Sequence, residues 1–187
     1  MVGLIDTLRR EHRDIARLLD ALDHQITVFA AAARPDYDIV CGIADYFLDY
    51  PDQCHHPKEN AVFRALVARS PEAAQRLGDL LREHRTVHDH AVAFRASVAA
   101  LLNEAEISRS AIVGAAVRFL DGQRHHMRLE EDAFFPVAER TLTPEDWRRI
   151  EGDILDARDP LFGDATESRF AALRDRLLAW EREFRSE

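Results

Sequence analysis

The stretch LIDTLRREHRDIARLLDALDHQITVF, from Leu4 to Phe29, carries apolar residues at Leu4, Leu8, Ile15, Leu19, Leu22, Ile26 and Phe29. That spacing returns to one side of an α-helix every three to four residues, which predicts a long amphipathic helix ending near Arg34-Pro35. His12 lies between Leu8 and Ile15 on the same inward stripe. A titratable ring placed among core residues needs a partner inside the fold.

Three more runs follow the same pattern. The second starts at about Asp36, passes through Ile39, Ile43, Phe47, Tyr50, Val62 and Leu66, and closes at Ser70-Pro71. The third covers Pro71 to about Glu106, with Leu77, Leu80, Val87, Ala91, Phe94, Val98 and Leu101 on its apolar side. The fourth runs from about Ser108 to Arg140 through Ile112, Ala116, Phe119, Phe134 and Val137. Pro51 and Pro57 inside the second run predict a bend there. No period-two alternation bounded by turn residues occurs, so the chain reads as all-α. Four long helices with short connections predict an antiparallel up-down four-helix bundle over residues 1–140. Beyond it, Thr143-Pro144-Glu145 opens a short helix to about Ala157. Asp159-Pro160-Leu161-Phe162-Gly163 reads as a turn, and Thr166 to Phe184 as a last amphipathic helix with Leu173, Leu177 and Trp180. Residues 141–187 are thus expected as a C-terminal helical extension packed on the bundle, pinned by Trp147 and Trp180.

Composition narrows the partners. The 187 residues are 47% hydrophobic and 32% charged, as in an ordinary folded domain. Lys plus Arg is 25 against 34 Asp plus Glu, a net charge of −9, which argues against nucleic acid and anionic membrane. The start, with Asp6 already charged, lacks the apolar core of a secretory signal, and no run approaches the ~20 apolar residues that cross a bilayer. Cys41 and Cys54 fall on one predicted helix, a poor arrangement for a disulfide. Reduced thiols and a cytoplasmic location are the expectation.

The nine histidines are the anomalous count. On the second helix His55 and Glu59 are four apart and share a face; the third offers His84 and His88, and the fourth His126 and Glu130. One such pair alone is commonly a solvated pair. Three on successive helices, with His12 in register on the first, are hard to obtain by chance. Together they bring five imidazoles and two carboxylates toward one axis, a cage that a cation satisfies. Seven ligands exceed the four of one zinc. They suit two metals bridged by the carboxylates, with iron favoured by the imidazole–carboxylate mixture. His56 and His125 adjoin ligands and should point about 100° away around the helix, as outer partners or surface groups. His56, His125 and Glu131 stand as alternatives for a ligand position. His24 and His90 are expected in solvent, and Cys54, Tyr46 and Tyr50 in packing roles. The charge runs Arg9-Arg10-Glu11 and Glu181-Arg182-Glu183 are read as solvated faces.

These residues resemble the hemerythrin-like (HHE cation-binding) family. The resemblance rests on Glu11-His12, on Tyr50-Pro51-Asp52-Gln53-Cys54-His55-His56-Pro57-Lys58-Glu59, and on Glu83-His84 with His88. It continues in His125-His126-Met127-Arg128-Leu129-Glu130-Glu131 with Phe134-Phe135-Pro136, and the turn from Asp159 to Gly163 is similar to one bacterial branch. It implies a non-haem centre of two iron ions, oxo- or hydroxo-bridged, held by His12, His55, Glu59, His84, His88, His126 and Glu130. It further implies binding of dioxygen or a related small ligand, nitric oxide or peroxide, by a monomer or homodimer. In the oxygen-carrying hemerythrins the last carboxylate is an Asp five residues after its His. Here Glu130 follows His126 by four, which argues against simple reversible oxygen carriage. The alternatives are an enzyme decomposing peroxide or reducing nitric oxide, with Tyr50, His56 or His125 as proton donor, and an iron sensor or storage protein.

Overall fold

The computed structural model describes residues 3–154, 159–163 and 166–184, and among these there is no strand. The first stretch forms α1 (Leu4–Ala30). Asp36 caps α2 (Tyr37–Tyr50) by accepting from the backbone N–H groups of Asp38 and Ile39. The chain then widens into a π-turn at Pro51–His55 and resumes as α3 (His56–Arg69). Ser70 caps the short α4 (Pro71–Leu77), and Asp79 caps α5 (Leu80–Leu102). Ser108 caps α6 (Arg109–Leu129), which passes through a second π-turn, Glu130–Phe134, into α7 (Phe135–Thr141). After a capping box at Thr143 and Asp146 comes α8 (Pro144–Asp153), and after one 3₁₀ turn, Ser168–Phe170, comes α9 (Ala171–Phe184).

The third predicted helix is therefore two. Gly78 takes φ +82°, a left-handed conformation that stops α4, and Asp79 starts a new helix at once. The bend expected at Pro51 and Pro57 is a π-turn. Proline lacks the N–H for the i−4 carbonyl and its ring crowds that carbonyl, so the ladder loosens just before it. Phe134-Phe135-Pro136 repeats the arrangement of His55-His56-Pro57, and both π-turns end two residues before a proline. Helix α8 ends at Asp153; Ala157, its expected end, lies outside the described residues.

Helix α1 and the α6–α7 stretch run in opposite directions. Arg9 meets Glu139 at 2.8 Å and Arg124 meets Asp23 at 2.9 Å, so α1 descends as the α6–α7 stretch rises. Phe94 and Phe119 stack at 5.4 Å between α5 and α6, and Arg95 pairs with Asp45 between α5 and α2. The buried apolar residues fall into two groups. One contains Ile15, Leu22, Ile43, Phe47, Phe94 and Phe119 and takes in Leu161, Leu173 and Leu177 from the C-terminal segment. The other contains Ile5, Leu8, Val62, Leu66, Phe134 and Phe135 and takes in Ile150 and Trp147 of α8. Between them lies a layer of buried titratable side chains. His12 separates Leu8 from Ile15 along α1, and His126 separates Leu120 from Phe134. Among the described residues no helix is long and apolar enough to cross a membrane.

The C-terminal segment docks through close approaches that glycine permits. A Cβ on Gly42 would stand 3.0 Å from the Leu173 Cβ, and one on Gly163 would meet the Asp159 carbonyl oxygen at 2.4 Å. The turn from Asp159 to Gly163 is closed by Asp159, whose Oδ1 accepts from the N–H groups of Leu161 and Phe162. Gly163→Ala is expected to open this turn and weaken docking of the segment by more than about 1 kcal/mol. Hydrogen exchange should accelerate in α9 while α5 and α6 keep their protection; unchanged exchange in α9 would show that the turn does not hold the segment.

Candidate metal centre

The buried layer contains two groups of potential ligand atoms, each lying within 4.8 Å of one another. One comprises His12, His55, Glu59 and Glu130, and the other His56, Glu59, His84 and His126. Three of these, His55, His56 and Glu59, come from the helix that carries the first π-turn. In a regular helix His55 and His56 would diverge by about 100°; at the wider turn both reach the layer, one into each group. All seven side chains are buried, Glu59 completely so at 0% exposure.

Glu59 and Glu130 each face both groups. Glu59 Oε1 lies 3.1 Å from His55 Nε2 and 3.4 Å from His12 Nε2, while its Oε2 lies 3.3 Å from His84 Nε2. Glu130 Oε2 lies 3.4 Å from His12 Nε2, and its Oε1 lies 3.4 Å from His126 Nε2 and 3.5 Å from His84 Nε2. Of these contacts only that of His84 Nε2 with Glu130 Oε1 has hydrogen-bond geometry, at the long distance of 3.5 Å. Both oxygens of Glu59, Oε2 of Glu130 and Nε2 of His126 are buried with no hydrogen-bond partner. His12 Nε2 and His55 Nε2 face each other at 3.2 Å. Buried carboxylate oxygens and ring nitrogens that crowd shared points, several of them without a hydrogen bond, are what a cation would satisfy.

A second set of carboxylates orients the rings from behind. His12 Nδ1 meets Glu131 Oε1 at 2.9 Å, His55 Nδ1 meets Glu11 Oε2 at 2.9 Å, and His56 Nδ1 meets Asp52 Oδ1 at 3.0 Å. Such partners fix which nitrogen is left to face inward. Glu11 is in turn held by Lys58 Nζ, and Glu131 lies 3.4 Å from Arg9 Nε. His84 Nδ1 and His126 Nδ1 have no such partner.

Without a cation, protons carry the compensating charge. Burial lowers the His12 pKa, but Glu130, Glu131 and Glu59 overcome it and lift the ring to about 11. Burial is likewise outweighed by the carboxylates at His55 and His84, both lifted to about 9. At His126 burial wins and brings the ring down to about 4, against the pull of Glu130 and Glu59. Burial alone would raise Glu59, yet His55, His12 and His84 hold it well below the usual carboxylate range.

The structure thus brings together His12, His55, Glu59, His84, His126 and Glu130, and adds His56. It leaves His88 outside both groups, half-exposed, with its Nδ1 2.6 Å from Asp52 Oδ2. His125 is exposed. His24, expected in solvent, is half-buried beside Trp180 with ring centroids 6.2 Å apart. Glu11, expected on a solvated face, has only 12% of its side chain exposed and sits behind His55. The signal that could have found it is its place beside His12, opposite the His55 turn.

No curated protein and no solved structure matches the chain. The family profile described as the hemerythrin HHE cation-binding domain matches residues 3–138. That span runs from the start of α1 almost to the end of α7 and encloses every member of both His/Glu groups, and by it the chain belongs to the hemerythrin HHE cation-binding family.

Proposed function

We propose that this chain holds two non-haem iron ions in the His/Glu layer of an antiparallel four-helix bundle and there binds dioxygen or a related small ligand, nitric oxide or peroxide. The observation that carries the reading is Glu59, a completely buried carboxylate whose two oxygens face different sets of imidazoles. The ligand set we assign is His12, His55, His56, Glu59, His84, His126 and Glu130, with His56 in the place expected for His88. Bound iron would supply a redox-active centre with positions left for an exogenous ligand.

The chain's own contribution is to orient and to exclude. Glu11, Asp52 and Glu131 hold three rings with the inward nitrogen free. Phe135 stacks on His12 at 5.3 Å, and the two apolar cores close the layer above and below. A cavity of about 540 Å³ lined by Asp52, Asn60, His84, Arg85 and His88 reaches the layer from one side. It favours a second reading, in which the same centre decomposes peroxide or reduces nitric oxide. Asp52 touches both His56 and the half-exposed His88, so this side offers a polar path for protons as well as ligands. Residues 1–140 form the metal-binding bundle in this reading and 141–187 its C-terminal extension, in a monomer or homodimer of the cytoplasm.

Metal analysis of single variants tests the ligand set. His84→Ala and His56→Ala should each lower metal affinity by more than the about 10–100-fold typical of losing an outer partner, with helix content retained. His88→Ala should stay within about tenfold of the parent. The reverse order would return the ligand position to His88. Iron content with an absorption spectrum that shifts on azide checks the metal and the open position, and rapid loss of added peroxide would select the enzyme reading.

The metal-free protein should show its own pH dependence. Rings whose folded pKa lies above the unfolded value of about 6.5 stabilise the fold fully below that value. The stabilisation is lost as pH rises through about 9 for His55 and His84 and about 11 for His12. Tm of metal-free protein is therefore expected to fall on going from neutral to alkaline pH, while metal-loaded protein, whose rings are already deprotonated, holds its Tm over the same range. Parallel curves would mean that the imidazoles do not carry the compensating charge.

A further inference from the structure

Tyr46 and Tyr50 take no part in the site above, yet both are fully buried and lie in line with it. The Tyr50 ring centroid is 6.3 Å from that of His55, and Tyr46 stacks on Tyr50 at 5.0 Å with the planes 29° apart. Tyr46 donates its hydroxyl to Asp159 Oδ2 at 2.9 Å. The other oxygen of Asp159 is fixed by the backbone N–H groups of Leu161 and Phe162. A file of groups therefore runs from the rim of the His/Glu layer to the C-terminal segment.

Burial lifts both phenols above their ordinary pKa, with Asp159 adding to the effect at Tyr46 and Glu11 at Tyr50, so both are neutral. A neutral phenol that loses one electron becomes a strong acid, and it is readily oxidised only where a base takes the proton at once. Tyr46 has that base in hydrogen-bond contact. The Tyr50 hydroxyl has no hydrogen-bond partner, and the oxygens of Glu11 are occupied by His55 and Lys58. The two rings therefore differ in role: the stacked Tyr50 ring conducts the electron by tunnelling without itself being oxidised, and Tyr46 is where the vacancy comes to rest.

We propose that Tyr46 is a redox-active tyrosine, giving up one electron through Tyr50 toward the His55 side of the metal centre and its phenolic proton to Asp159. The inference rests on the metal reading above. In this step the Tyr46 O–H bond breaks and the proton goes to Asp159 Oδ2, leaving a neutral phenoxyl radical. The electron goes to an oxidant of the peroxide class, ROOH, acting at the centre; two such one-electron steps, with two protons from solvent, break its O–O bond and give ROH and water. One electron from a reductant of the thiol or ascorbate class, with the proton returned from Asp159, restores the phenol. The device draws oxidising equivalents away from the imidazoles.

The test is electron paramagnetic resonance in two arms. In one, metal-loaded protein is frozen after exposure to hydrogen peroxide; in the other, metal-free protein is illuminated with a ruthenium polypyridyl and persulfate. A tyrosyl signal is expected in both arms, kept in Tyr37→Phe and lost in Tyr46→Phe, whose metal content and helix content should match the parent. Tyr50→Phe, which keeps the stacked ring, should keep the signal in both arms, and Tyr50→Leu should weaken it in the peroxide arm alone. A signal that survives Tyr46→Phe, or none in either arm, overturns the proposal. So does a signal confined to the ruthenium arm when the loaded protein is confirmed to carry metal. If the protein takes up no metal, the metal reading fails, and the ruthenium arm alone decides the role of Tyr46.

Discussion

Two carboxylates that no solvent reaches, Glu59 and Glu130, set the terms for the rest of the molecule. An ionised carboxylate in a packed interior is strongly unfavourable unless positive charge stands beside it. In the metal-free chain that charge is supplied by protons on His12, His55 and His84, held there at pH values where an ordinary imidazole would be neutral. A divalent cation does the same with no proton and with ligands already aimed. The surrounding carboxylates, Glu11, Asp52 and Glu131, would add to the negative charge, but Lys58 and Arg9 are placed against two of them. Charge in this layer alternates outward from the two glutamates: rings, then carboxylates, then cations at the edge.

The geometry that makes the layer possible is a pair of local faults in helix winding. Each π-turn adds room within one turn, and each carries a member of the buried His/Glu layer: His55 in the first, Glu130 in the second. Pro57 and Pro136 give both a covalent cause. The same winding explains how His55 and His56, neighbours in the chain, serve two different groups of ligands. The prolines thus bear on coordination as much as on helix shape.

Much of this was legible in the sequence, and the misses have a common origin. The helical runs, the C-terminal turn and the inward placement of His12, His84 and His126 follow from periodicity near 3.6 residues and from Gly, Pro and capping signals. A constant helical period through Pro51 and Pro57 turns His56 outward, and the π-turn there brings it into the layer. Four-residue spacing places His88 above His84; spacing along one helix says nothing of Asp52 in the first π-turn, which pairs with His88 outside the two groups. Glu11 was taken for a surface charge because Arg9-Arg10-Glu11 is polar throughout, and only the approach of α1 to the first π-turn buries it. The break at Gly78-Asp79 was lost in an otherwise good apolar repeat.

The two apolar cores are each completed by a different part of the chain beyond Thr141: α8 contributes Ile150 and Trp147 to one, and α9 contributes Leu173 and Leu177 to the other. This stretch therefore works as a clasp fastened on both sides of a charged seam. Ion pairs reinforce its two ends, Arg69 with Asp146 at 2.8 Å and Arg17 with Glu181 at 2.7 Å. The halves on either side of the seam are joined twice over, once through the His/Glu contacts inside and once through the clasp outside. The spacing of the two halves is therefore set from outside the seam as well as from within it.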